Sequence, residues 1–114
     1  MTNAQVLQRA NEAITRGDHE AFLAFCTEDT TWIFEGEQRL EGKDAVRQWM
    51  KESYREPPTF EVERMIEDGD YLAAIGEITL RDESGAPTRN TYCDVWRFQD
   101  GRMAELRAFV VPMG

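Results

Sequence analysis

Aromatic and charged side chains alternate in a segment near the end of the chain, and this pattern is the strongest indication of chemistry in the sequence. Asp100-Gly101 lies between two alternating segments and predicts a hairpin with a type I′ turn, which needs positive φ at both central residues. A two-residue loop without a bulge would place Asp94 opposite Arg107. One face of the hairpin would then carry Tyr92, Asp94, Trp96 and Phe98, opposite Phe109, Arg107, Glu105 and Met103.

Asp94 is the residue of this segment best suited to proton transfer. A carboxylate among aromatic rings is costly unless it is paired or protonated, so this face is expected to be a pocket wall. Two interpretations stay open. In the first, Asp94 is a catalytic acid or base, and Arg107 orients it or holds an anionic group of the ligand. In the second, Asp94 and Arg107 form a structural ion pair, which would lower the carboxyl pKa where burial alone would raise it.

Several aromatic side chains are candidates to line the pocket, although each could equally belong to the hydrophobic core. Tyr92 is the strongest of them, because a buried hydroxyl must find a hydrogen-bond partner. Glu105 is either a second acid of the pocket or a residue at its open rim. The candidate ligand-binding residues are Trp32, Phe34, Trp49, Tyr92, Trp96, Glu105 and Phe109.

The composition is that of an ordinary globular chain and argues against several classes of partner. The 114 residues allow one domain, residues 1–114, with one core. The net charge of -9 argues against nucleic acid and anionic membranes, which both need a basic face. One histidine and two separate cysteines cannot supply a paired-ligand metal site, so neither a metal nor a cofactor is expected. The sequence shows no membrane span or secretory signal, which predicts a cytoplasmic location and free thiols.

Hydrophobic periodicity predicts an α+β protein in which helices precede a run of antiparallel strands. Such an arrangement curves a four-stranded meander around the helices and leaves a cavity at one end. Pro57-Pro58 forbids continuation of the third helix. The predicted elements are helices beginning at a Thr2–Gln5 capping box, at Asp18 and at Gly42, and strands over 30–35, 60–67, 71–80 and both arms of the terminal hairpin.

Short motifs spread over nearly the whole chain occur in a characteristic order. They are Gly17-Asp18 after the first helix, Glu28-Asp29 before Trp32, Leu40-Glu41-Gly42 before a helix at Ala45-Val46, Tyr92 to Phe98, Asp100 to Met103, and Glu105-Leu106-Arg107. In order and spacing the chain resembles the SnoaL-like and ketosteroid-isomerase-like branch of the nuclear transport factor 2-like superfamily. The resemblance implies a single SnoaL-like domain with a cone-shaped, cystatin-like α+β fold, an apolar pocket and commonly a homodimer.

The resemblance also implies which catalytic groups are present and which are missing. The isomerases of this branch carry a tyrosine on the first helix, an aspartate base at the end of the first strand and an aspartic acid on a late strand. Asp94 falls on the late-strand acid, whereas Ala10 and Phe34 occupy the other two positions. Val111 stands where some related enzymes carry an acid on the last strand. Steroid isomerisation by that mechanism is therefore not expected.

The resulting hypothesis is a pocket protein that binds or transforms a small, mostly apolar organic molecule. If it is an enzyme, the resemblance implies cofactor-independent acid–base chemistry of the isomerase, cyclase or dehydratase type. The alternative is a non-catalytic ligand-binding or dimeric interaction module with a structural Asp94–Arg107 pair. On the predicted outer face of the hairpin, Val95 and Leu106 would be apolar and uncovered by helices, which predicts a homodimer through this convex face.

Overall fold

Two helices, two strands and a third helix precede a run of four strands, an order that the sequence pattern predicts except for the second strand. The computed structural model describes residues 1–113 and shows an α+β fold in which helices occupy the inner side of a curved sheet. The helices are α1 (Asn3–Thr15), α2 (His19–Leu23) and α3 (Lys43–Ser53), and the strands are β1 (Cys26–Phe34), β2 (Gln38–Glu41), β3 (Thr59–Asp68), β4 (Tyr71–Arg81), β5 (Pro87–Gln99) and β6 (Arg102–Pro112).

Local capping signals fix the ends of α1, as predicted. The Thr2 hydroxyl accepts a hydrogen bond from the Gln5 backbone at 3.1 Å, and the Gln5 side chain accepts one from the Thr2 backbone at 2.9 Å. Gly17 follows the helix with a φ of 78°, a left-handed conformation that glycine adopts without steric cost. These caps set the direction in which α1 crosses the sheet.

The sheet has six strands in the order β2-β1-β6-β5-β4-β3, which is more than the sequence pattern predicts. The missed strand, β2, is short and mostly polar, so it shows neither alternation nor an apolar run. β1 pairs with β6 in parallel, and the other neighbours pair antiparallel. The parallel pair brings Trp32 and Phe34 beside the terminal hairpin, which is where the cavity forms.

The turn of the terminal hairpin agrees with the sequence prediction, but the register beyond it does not. Asp100 and Gly101 both have positive φ, at 51° and 78°, as a type I′ turn requires. Phe98 then pairs with Met103, whereas the next pair along the ladder is Arg97 with Glu105. Ala104 is therefore the extra residue of a β-bulge in β6, and every later residue of β6 changes face.

The hydrophobic core lies between α1, α2 and the concave side of the sheet. The apolar face of α1 is almost completely buried and packs with the inward residues of the central strands. The inward residues of β5 are aromatic at the end of the strand that leads into the Asp100-Gly101 turn, where Trp96 and Phe98 are 4% and 3% exposed. Within residues 1–113, no helix has both the length and the apolarity needed to cross a membrane.

Candidate functional site

A small chamber of about 60 Å³ lies between α1, α3 and the concave face of the sheet. Its wall is mostly apolar, and its non-aromatic apolar residues are Ile14, Met50, Ile78, Leu106, Ala108 and Val110. The only side chains of the wall that carry a carboxyl or amide group are Asp94 and Asn11, among the residues that the structure describes. The aromatic residues are Phe22, Trp32, Phe34, Tyr54, Phe60, Tyr92 and Trp96. We call this cavity the inner chamber.

Asp94 is a solitary carboxyl in this apolar wall. It lies on the concave face of β5, opposite Ala74 on one side and Ala108 on the other, so neither cross-strand neighbour can pair with it. Burial raises the Asp94 pKa from 3.8 to about 7, and no hydrogen bond or cation among the described residues offsets this effect. The residue is partly accessible and lines the chamber, so its open side faces the cavity.

The negative charge of Asp94 contributes to the pKa shifts of two tyrosines, Tyr92 and Tyr54. Burial, together with the negative charges of Asp94 and Glu63, raises the pKa of Tyr92 to about 12. Burial also raises the pKa of Tyr54, and Asp94 again adds to the shift. Both phenols therefore stay protonated near neutral pH and can donate hydrogen bonds into the chamber. Asp94 is the group of the chamber that changes its charge in the physiological range.

The indole of Trp32 supplies another polar group to the wall. Trp32 is 3% exposed, and its Nε1 has no hydrogen-bond partner among the described residues. A buried donor without a partner is costly, and this indole belongs to the wall of the inner chamber. An acceptor atom of a bound molecule would satisfy it.

A wider vestibule of about 390 Å³ adjoins the inner chamber at the end of α3. The two cavities share wall residues Phe34, Tyr54, Ile78, Ala108 and Val110. Trp49 lines the vestibule and contacts Phe34 with ring centroids 4.8 Å apart. The charged residues of the vestibule are Glu35 and Glu37. The vestibule is thus the acidic, solvent-facing approach to the chamber.

The largest depression of the surface, about 810 Å³, is a groove between α1 and β3 rather than the chamber. Charged and polar side chains such as Glu12, Arg16 and Arg64 line much of it, and it is open to solvent. It meets the inner chamber at Asn11 and Phe60. A broad open groove excludes water poorly, so we place the candidate site in the chamber.

The predicted partnership of Asp94 with Arg107 is wrong, because the β6 bulge places Arg107 on the outer face. Arg107 pairs with Val95 in the ladder and forms a salt bridge with Glu35, with Nη2 2.7 Å from Oε1. The same bulge places Glu105 and Phe109 on the outer face, where Phe109 is 41% exposed. These three predicted site residues do not line the chamber or the vestibule.

Replacing Arg107 with alanine should therefore change little. The Arg107 side chain is 51% exposed and that of Glu35 is 31% exposed, and such pairs contribute about 0–1 kcal/mol. We expect urea unfolding to show a loss of less than about 1 kcal/mol and no change in the titration of Asp94. A loss of about 3–5 kcal/mol, typical of a broken buried pair, would contradict this placement.

The remaining predicted residues lie where the sequence suggested, around the cavities. Asp94, Trp32, Phe34, Tyr92 and Trp96 line the chamber, and Trp49 lines the vestibule. Sequence reasoning missed Asn11, Tyr54 and Phe60, which face the same space. Helical spacing could have found Tyr54, because it follows the buried Met50 by four residues at the end of α3.

The chain shares its α+β fold with solved NTF2-like proteins. It belongs to the SnoaL-like domain family, whose model matches residues 7–106. A comparison with curated proteins finds no match.

Solved structures share the fold at low sequence identity. An NTF2-like protein of unknown function from Burkholderia pseudomallei has 22% identity and a TM-score of 0.84, with 96% of this chain and 91% of that chain covered. A SnoaL-like polyketide cyclase, so assigned only putatively, from Jannaschia sp. has 18% identity and a TM-score of 0.80, with 95% and 84% covered. TerC, co-crystallised with polyporic acid, has 14% identity and a TM-score of 0.82, with 94% and 89% covered.

Proposed function

We propose that the chain binds a small, mostly apolar organic molecule and that Asp94 transfers a proton to or from it without a cofactor. The observation that carries this proposal is the position of Asp94, a carboxyl with no ionic or hydrogen-bonding partner among the described residues, in the wall of an aromatic chamber. A structural role would require a partner, and Arg107 is engaged with Glu35 on the other face.

The proposed chemistry is general acid–base catalysis near neutral pH. A group is most effective in this role when its pKa lies near the working pH, and burial brings the Asp94 pKa to about 7. The ionised carboxylate would remove a proton from carbon next to a carbonyl group and return it at another position. Trp32 Nε1 and the Tyr54 hydroxyl are the candidate donors to the oxygen on which negative charge develops. Isomerisation uses both transfers, whereas aldol-type cyclisation and dehydration of a β-hydroxy carbonyl compound share the first of them, the removal of the proton.

The dimensions of the cavities limit the molecule. Small-molecule sites usually measure about 300–1,000 Å³, a range that the vestibule reaches at about 390 Å³ and the chamber, at about 60 Å³, does not. The reacting end would therefore enter the chamber while the larger part stays in the vestibule. The fold shared with a SnoaL-like polyketide cyclase and with TerC supports an organic molecule of modest size.

Isomerisation of pent-4-en-2-one to pent-3-en-2-one in D2O, followed by proton NMR, tests the proposal. This acyclic ketone is slender, so its carbonyl end can enter the chamber, and it needs only one positioned acid–base group. We expect the wild-type protein to accelerate the reaction and Asp94→Asn to lose about 10²–10⁴-fold of that acceleration. Asp29→Asn is the control, because Asp29 is an exposed carboxylate that lines neither the chamber nor the vestibule. Equal rates with wild type and Asp94→Asn would contradict proton transfer and favour the non-catalytic binding module.

We also propose that the chain forms a homodimer through the outer face of the sheet, although not through Leu106. The bulge turns Leu106 inward, where it is 4% exposed, and leaves Val95, Phe109 and Val111 among the apolar residues of the outer face. Arg97 and Glu105 face each other on the same surface, so two copies related by a twofold axis can pair opposite charges.

Phe109→Glu should weaken this dimer, because it places a charge in the centre of the proposed contact. We expect sedimentation velocity at micromolar concentration to show a dimer for the wild type and a monomer for Phe109→Glu. Gln8→Glu adds the same charge on the exposed face of α1 and should remain dimeric. A wild-type monomer under these conditions would contradict the proposal.

A further inference from the structure

We infer that the inner chamber binds a compact organic cation, the methylated ammonium head of a larger molecule whose remainder lies in the vestibule. Three features of the molecule carry this inference: aromatic rings on two sides of the cavity, a carboxyl without a cation, and an acidic approach. The inference rests on the proposed function only for the place where the ligand binds, and the ammonium head would occupy the chamber in place of a reacting carbonyl group. It concerns the charge of the ligand and does not require that Asp94 transfers a proton.

Rings surround the chamber on two sides. One wall is a connected group in which Trp32 contacts Phe22, Phe34 and Trp96, with ring centroids 5.8, 6.1 and 5.9 Å apart. Phe60 and Tyr92 form a second pair, 6.2 Å apart, and line the same cavity. A cation near the face of an aromatic ring is attracted by the quadrupole of the ring, and the attraction is strongest where water is excluded.

The chamber has one acidic group and lacks a basic one. Asp94 is its carboxyl, and neither the chamber nor the vestibule contains a lysine or arginine among the residues that the structure describes. Arg107, the cation that an unbulged hairpin would place opposite Asp94, forms a salt bridge with Glu35 instead. An ionised carboxylate in an apolar cavity is costly without a partner, and a ligand cation would supply that partner. An anionic ligand would meet repulsion instead.

The vestibule, through which a ligand would reach the chamber, is negatively charged like the Asp94 carboxylate. Glu37 lines the vestibule as an acidic residue without a salt bridge among the described residues, whereas Glu35 beside it is paired with Arg107, and the whole chain carries a net charge of -9. Negative clefts concentrate cations and raise their rate of association. The chamber itself, at about 60 Å³, is smaller than the cavity of about 150 Å³ that holds a benzene ring. A head of a few heavy atoms suits it, and the flexible Met50 in the wall allows a small adjustment of shape.

Choline and its uncharged isostere 3,3-dimethylbutan-1-ol test the inference directly. The two molecules have nearly the same shape, so any difference in affinity reports the charge. Binding at pH 8 can be followed by the fluorescence of Trp32 and Trp96 in the chamber and by calorimetry. We expect choline to bind at least tenfold more tightly than the alcohol, and Asp94→Asn to remove this preference. Gln8→Glu, on the surface of α1, should leave it unchanged.

The pH dependence supplies a second readout. Choline should bind at least tenfold less tightly at pH 5 than at pH 8, because protonation of Asp94 removes the charge that faces the ligand. The other titratable groups that face Asp94 in the chamber are Tyr54 and Tyr92, which stay protonated over this range. Glu35 and Glu37 lie in the vestibule, and Glu37→Gln should keep the pH dependence of the affinity.

Equal affinities for choline and the alcohol, or no binding of either at 10 mM, would overturn the inference. Retention of the choline preference in Asp94→Asn would overturn it as well. The outcome is separate from that of the pentenone assay, since choline undergoes no proton transfer. If the wild-type protein does not isomerise the ketone but keeps the choline preference, only the proposed catalysis is contradicted.

Discussion

Replacing Asp94 with asparagine should stabilise the protein at pH 8 and remove much of the loss of stability that the wild type shows between pH 4 and pH 7. Burial raises the Asp94 pKa from 3.8 to about 7 in the folded protein. Between these values the unfolded chain releases the proton while the folded chain retains it, so stability falls as the pH rises. The difference of about three pKa units corresponds to roughly 4 kcal/mol above pH 7.

Urea unfolding of both proteins at pH 4, 5.5, 7 and 8 gives this dependence. The difference between the free energies of unfolding of Asp94→Asn and the wild type should grow from pH 4 to pH 7 and level off above pH 7. The amide of asparagine also lacks partners in the chamber, which reduces the gain by about 1–3 kcal/mol. Glu37→Gln removes an exposed carboxylate and serves as the control for charge. A profile of Asp94→Asn parallel to that of the wild type would contradict an isolated, buried carboxyl.

Replacing Gly76 with alanine should destabilise the sheet at the point where β3 crosses β4. A Cβ atom on Gly76 would lie 2.1 Å from the backbone oxygen of Glu61 and 3.1 Å from the Cα of Val62. A backbone atom cannot rotate away as a side chain can, so β3 itself must shift. Overpacking of this kind costs about 1–3 kcal/mol or more. Because Phe60 precedes Glu61 on β3 and lines the chamber, the shift should also widen the cavity.

Thermal unfolding and chamber binding together check this prediction. We expect Gly76→Ala to lower the Tm by several degrees and to weaken the binding of any ligand that contacts Phe60. Gly69→Asn is the control: Gly69 has a φ of 60° in an open turn, which asparagine tolerates. A Gly76→Ala protein as stable as the wild type would show that β3 can move at little cost.

The sequence predicted the turn of the terminal hairpin but not the bulge three residues later. Asp100-Gly101 has a local signature, because only a few residue types accept positive φ. The bulge arises where Met103 and Ala104, adjacent in the chain, are both buried. The alternation after it was visible: Glu105 and Arg107 are polar, while Leu106 and Ala108 are apolar. This pattern alone predicts Leu106 and Ala108 inward, and it conflicts with an uninterrupted ladder.

Part of the chamber wall was predictable from the alternation of side chains along the strands. Trp32, Phe34 and Trp96 belong to strands with clear alternation, so their inward direction follows from the pattern. Asn11 faces the chamber from a helix whose other inward residues are apolar, and the periodicity of the helix does not distinguish a cavity from a packed core. The sequence pattern did not predict strand β2, because pairing with β1, rather than its own composition, holds this strand in place.

The titration of Asp94 by carbon-13 NMR tests most directly the claim that Asp94 is an isolated, buried carboxyl. The carboxyl carbons of labelled aspartate change chemical shift on ionisation, and Asp94→Asn identifies the resonance that belongs to Asp94. We predict a midpoint near 7 in the free protein, because burial without a partner raises the pKa of Asp94. A midpoint near 4 would show that Asp94 is solvated or paired, and would contradict both the isolated carboxyl and the functions proposed for it.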